Sequence, residues 1–143
     1  MIAEKPPLVT HIEQLAAALA AHWEQDEQAW VDGLREALRG VEHALGRHPA
    51  PSDQHVLSHL ELQRREIHPG LQRESRALRE AQLALFQETD VLATQLERDS
   101  ARARDVAALR EIGAALVKDL QKFRASENRL IFDNVMRDTG AGD

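Results

Sequence analysis

The chain has 143 residues, a formal net charge of -6, 43% hydrophobic and 29% charged residues, and no cysteine. That balance is too apolar for a disordered chain, and the length suffices to bury a core without covalent staples, so one domain over residues 1–143 is expected. The missing cysteines exclude disulfides, thiolate metal sites and cysteine nucleophiles.

Residues 1–8 read as an N-terminal arm: Met1-Ile-Ala-Glu-Lys-Pro-Pro7 lacks the apolar stretch of a secretion signal. A first helix starts after Pro7, with Thr10 as cap and Glu13 at capping-box spacing. Ile12, Leu15, Leu19, Trp23, Trp30, Leu34, Leu38, Val41 and Leu45 then follow at steps that keep one apolar stripe on a helix reaching about His48. Gly33 and Gly40 are the positions where this long helix would bend or break. Pro49-Ala-Pro51 is a loop, and Ser52 or Asp53 caps a second helix from about Gln54 to Ile67. His68-Pro69-Gly70 interrupts the pattern. A third helix runs to about Arg98 through Leu71, Leu78, Leu85, Val91-Leu92 and Leu96. Asp99-Ser100 opens a fourth, whose apolar side is Val106, Leu109, Ile112, Leu116, Leu120, Phe123, Leu130, Ile131 and Val135, and residues 138–143 form a tail.

Ala, Leu, Glu, Gln and Arg dominate, all strong helix formers, and aromatics are only 3%. The expected class is therefore all-α, as an up-and-down four-helix bundle. The longest apolar run, Leu15 to Ala21, is far short of the ~20 residues of a membrane span. A cytoplasmic protein with no membrane contact is expected. Lys occurs only at Lys5, Lys118 and Lys122, and the arginines interleave with acids, as between Arg73 and Glu80. Without a basic stripe to neutralise phosphates, nucleic acid is not an expected partner.

All seven histidines lie at or before His68. His55 and His59 share a helix face at i and i+4, the spacing of a chelating pair, but Leu62 stands where a carboxylate would complete that face. Two solvent-facing histidines near a helix start are the plainer reading. His43 and His48 are five apart and do not share a face. Trp23 and Trp30 read as core or subunit-interface packing, and Phe123 as core. No phosphate loop or nucleophile elbow is present, and no catalytic residue is assigned.

The stretch Leu120-Gln-Lys-Phe-Arg-Ala-Ser-Glu-Asn-Arg-Leu-Ile-Phe-Asp-Asn-Val-Met-Arg-Asp-Thr-Gly-Ala-Gly-Asp143 resembles the final helix and tail of bacterial hemerythrin-like (HHE cation-binding) domains. The string Trp30, Leu34, Ala37-Leu38, Val41, Ala44-Leu45, His48 resembles their first ligand helix, and His68-Pro-Gly-Leu71 the entry to their third. The resemblance covers about residues 30–143 and implies a four-helix bundle around a non-haem di-iron site held by His and carboxylates. On it, His48 and Glu127 match ligand positions, whereas Gln82 and Phe123 stand where the family carries His. A rearranged ligand set would have to draw on His48, His55, His59, Glu61 and Glu127. Phe123 has no lone pair and Arg124 brings positive charge, so the expectation is a hemerythrin-like bundle that has lost its di-iron site and carries no cofactor. It would serve as a non-catalytic binding or structural module, as a homodimer through apolar positions such as Leu19 or Trp23, or with another protein partner. Retained non-haem iron or oxygen binding is the alternative, and a helical adaptor that recognises a partner helix is a third.

Overall fold

The computed structural model describes residues 7–22, 24, 26–49, 69–98 and 106–140. Every regular element among them is an α-helix: α1 (Leu8–Ala20), α2 (Glu27–Arg47), α3 (Pro69–Arg98) and α4 (Val106–Gly140). The all-α class is as expected from composition and periodicity, but the helices are not divided as the apolar stripe implied. The expected first helix is two helices, and the break lies at Ala21–Asp26 rather than at Gly33 or Gly40. Ala21 is extended (φ -64°, ψ 152°), and Asp26 restarts the helix by accepting a hydrogen bond from the Ala29 N–H at 3.0 Å. A carboxylate in that position satisfies a donor that the first turn leaves orphaned. Glu27 in the first turn and Arg47 in the last of α2 complement its dipole.

Other boundaries also shift. Thr10 is no cap; helix α1 begins at Leu8, with Pro7 in the capping position and its carbonyl accepting from the Thr10 and His11 N–H groups. Helix α3 takes in Pro69 and Gly70, proline being well tolerated in a first turn. Helix α4 continues to Gly140, so Asp138, Thr139 and Gly140 are helical rather than tail. The expected second helix (54–67) and the Asp99-Ser100 cap lie outside the described residues.

The chain divides into two compact units. Unit 1 comprises residues 1–48 and 84–121, hence α1, α2, the second half of α3 and the first half of α4. These four segments form an up-and-down bundle. His11, early in α1, lies against Gly40, late in α2, so the two helices form an antiparallel hairpin. On α2, Arg39 reaches Asp90 and Glu97 of α3, while Gly46 lies beside Phe86, which fixes the opposite sense for α3. On α3, Ala84 and Gln95 line one groove with Ile112 and Asp119 of α4, and α4 closes the ring on α1 where Leu19 meets Gly113. The interior is hydrocarbon from every helix: Ile12 and Leu15, Leu34 and Leu38, Leu92 and Leu96, Leu116 and Leu120 are buried. Among the described residues of unit 1 Thr89 is the polar exception, and its hydroxyl donates to the Leu85 carbonyl at 2.7 Å.

Two arginines tie the ring together at its margins. Arg39 donates to Asp90 (2.8 Å), Glu97 (3.0 Å) and Thr94 (3.5 Å) on α3 and to Glu42 on its own helix, and the Asp90, Glu42 and Glu97 carboxylates raise its already high pKa further. Arg110 of α4 donates to the Ala21 carbonyl at the end of α1 (2.8 Å) and lies 5.7 Å over the Trp30 ring. A cation there satisfies an orphan carbonyl and meets the electron-rich face of the indole.

Unit 2 comprises residues 49–83 and 122–143. Its described parts are the first half of α3 and the second half of α4, where Glu74 and Leu78 line a groove with Leu130 and Asp133. Leu78, Phe123 and Leu130 are buried there, together with Ser75 and Glu127.

Candidate functional site

The residues expected to hold a metal are placed as follows. His48 is the C-cap of α2 in unit 1, half-buried, and its backbone N–H donates to the Ala44 carbonyl at 2.9 Å. Glu127 is on α4 in unit 2 and is 0% exposed. His55, His59 and Glu61 lie outside the described residues. Phe123 is buried, as expected, and Gln82 is half-buried on α3.

Four residues is just over one helical turn, so Phe123 and Glu127 fall on one side of α4. Arg124 also reaches that side: its guanidinium donates to the Glu127 carboxylate, an i,i+3 pair with the arginine partly exposed and the glutamate fully enclosed. The buried negative charge is thus answered by a cation from its own helix. These described residues do not suit an iron centre. Phe123 offers no donor atom, and a dication at Glu127 would meet the Arg124 charge. Among the described residues, no group of three or more His, Asp or Glu is arranged to hold a metal ion.

A different feature stands out in unit 1. Val91 and Ile112, expected on the buried sides of their helices, are 56% and 52% exposed. The buried line of α4 runs through Val106, Gly113 and Val117 instead of Ile112, because Gly113 faces α1 and meets Leu19. On α3 the line runs through Thr89, Leu92, Ala93 and Leu96, which turns Val91 outward. Between the two helices lies an open groove of about 570 Å³, floored by Leu92 and Leu116 and flanked by Val91 and Ile112. Sequence reasoning missed it, because helical periodicity groups Val91 and Ile112 with apolar neighbours without saying which of them the other helices cover.

Leu19, expected at a subunit interface, is instead buried within unit 1 against Gly113, and Trp23 lies outside the described residues. No described helix is long and apolar enough to cross a membrane. Comparison with protein-family models, with curated proteins and with solved structures finds no match to the chain.

Proposed function

We propose that the chain is a hemerythrin-like helical bundle without iron chemistry, acting as a non-catalytic binding module. The observation that carries this reading is the Arg124–Glu127 pair beside buried Phe123. At the two positions of α4 where the resemblance expects ligands, one is hydrocarbon and the other has its charge taken up by a guanidinium. The exposed apolar groove of unit 1 supplies what a binding module needs, a concave surface with large side chains in water. A cytoplasmic location fits the cysteine-free sequence. A homodimer remains part of this reading; Leu19 is enclosed in its own unit and would not carry it, whereas Trp23 lies outside the described residues, and light scattering across concentrations reads the association directly.

The decisive experiment is anaerobic loading of the full chain with ferrous iron, re-exposure to air, and measurement of metal content and near-ultraviolet absorbance. The expected result is no iron above background and no oxo-bridge bands. A stoichiometric pair of irons, lost in His48→Ala and Glu127→Ala, would overturn the proposal and establish the rearranged ligand set instead.

A further inference from the structure

Unit 1 leaves two large apolar side chains exposed beside a hollow between its helices. Val91 and Ile112 flank the α3–α4 groove, and Ala84 and Ala115 keep its walls low. Two antiparallel helices with such a furrow between them offer the seat that a third helix takes by setting its ridge of side chains into the groove.

The charge of the margin narrows the occupant. Glu88 and Asp119 are the charged residues lining the groove, one on each helix, both exposed. Neither forms an ion pair with a cation among the described residues. A second copy of the chain docked groove to groove would bring carboxylates from both linings together with no lining cation to offset them. An acidic helix would meet the same repulsion. A helix with apolar anchors on one face and Lys or Arg beside them satisfies both the hydrocarbon and the carboxylates.

We infer that the α3–α4 groove of unit 1 receives an amphipathic, basic-flanked helix of a partner protein. This inference rests on the binding-module reading and names the chemistry of its partner. Val91 and Ile112 supply the apolar contact, and Glu88 and Asp119 select the sign of the flanking charge.

The test uses the full chain and two labelled synthetic helices of about 15 residues, long enough for several turns. One carries Leu at i, i+4 and i+7 with flanking Lys; the other has Glu at every Lys position. Fluorescence anisotropy should show the Lys helix binding at least about tenfold more tightly than the Glu helix. Val91→Gln and Ile112→Gln should each weaken the Lys helix by about tenfold while leaving the thermal midpoint unchanged, because both side chains are more than half exposed. Glu88→Lys combined with Asp119→Lys should reverse the order of the two helices. Absence of binding, equal binding of both helices, or binding indifferent to Val91 and Ile112 overturns the inference. So does a drop in thermal midpoint in those variants, which would mean that another part of the chain already covers the groove. A dimer that Ile112→Gln dissociates would assign the groove to a second copy and overturn it as well. The iron measurement is independent of all these outcomes: uptake of iron would defeat the proposed function with the titrations standing, and failed titrations would leave the iron result standing.

Discussion

The two units solve the problem of an interior in different ways. Unit 1 encloses hydrocarbon drawn from four helical segments, and its buried hydroxyl at Thr89 is satisfied by the preceding turn of its own helix. Unit 2, in its described part, encloses a carboxylate, Glu127, and relies on Arg124 from the next turn back to neutralise it. Hydrocarbon packing is distributed, so each side chain contributes a share and no single neighbour is indispensable. An enclosed charge depends on specific polar partners rather than on many equal neighbours, and Arg124 is one of those Glu127 has.

The largest expected effect breaks that comparison at its sharpest point. Arg124→Leu should destabilise the protein by about 3–5 kcal/mol, the usual cost of removing one partner of a buried ion pair. Leu38→Ala, at a fully buried position of unit 1, should cost about 2–5 kcal/mol through lost transfer energy and a residual cavity. The magnitudes overlap, but the responses to a second substitution differ. Adding Glu127→Leu to Arg124→Leu should recover most of the loss, since a hydrocarbon pair of similar volume carries no charge to desolvate. Urea denaturation of the single and double variants reads the coupling. A double variant that is less stable than Arg124→Leu alone would show that the other contacts of Glu127 outweigh the Arg124 pair.

Much of this architecture was legible in the residues. The stripe through Ile12, Leu15 and Leu19 and the one through Leu34, Leu38 and Val41 both mark the buried faces correctly. The hairpin between them was not, because periodicity records which residues face a core and is indifferent to whether the chain has reversed on the way. The local signal was the unbroken polar run Glu24 to Gln28, with Asp26 placed to cap. The exposure of Val91 and Ile112 was illegible for a related reason: an apolar face seeks cover, and only the packing of the other helices says whether it finds any. The spacing of Arg124 and Glu127 was visible, but the enclosure of Glu127 depends on tertiary packing that a helical spacing does not record.

The glycines sharpen the picture of unit 1. A Cβ on Gly113 would come within 2.4 Å of a terminal methyl of Leu19 and 3.2 Å of its Cγ, and Leu19 is itself packed in the core. A Cβ on Gly33 would meet nothing within 4 Å. Both residues are inside helices, where replacing glycine by alanine gains about 1 kcal/mol in the absence of other contacts. Gly33→Ala should therefore stabilise by about 1 kcal/mol. Gly113→Ala should destabilise by about 1 kcal/mol net, because overpacking of roughly 1–3 kcal/mol exceeds the propensity gain. Thermal melts that move in the same direction for both variants would mean that the α1–α4 contact is loose enough to yield.

The smallest expected effect is a pH dependence within the α1–α2 hairpin. The His11 ring lies against Gly40, and partial burial first, then the Arg47 charge, then His43, hold its pKa below the ordinary 6.5. The folded state therefore resists protonation at His11, while the unfolded chain takes up a proton near the ordinary value. Protein that is fully stable on this account above pH 6.5 should lose stability as pH falls through 6.5 toward the lowered folded value. His11→Gln, which keeps a polar group of similar reach without a titrating ring, should flatten that part of the profile and leave the acid limb at lower pH to the carboxylates. Urea midpoints measured at pH 7.5, 6.5 and 5.5 decide it: parallel profiles for the two proteins would place the titrating group elsewhere, whereas a slope confined to the unsubstituted chain would locate it where α1 crosses Gly40.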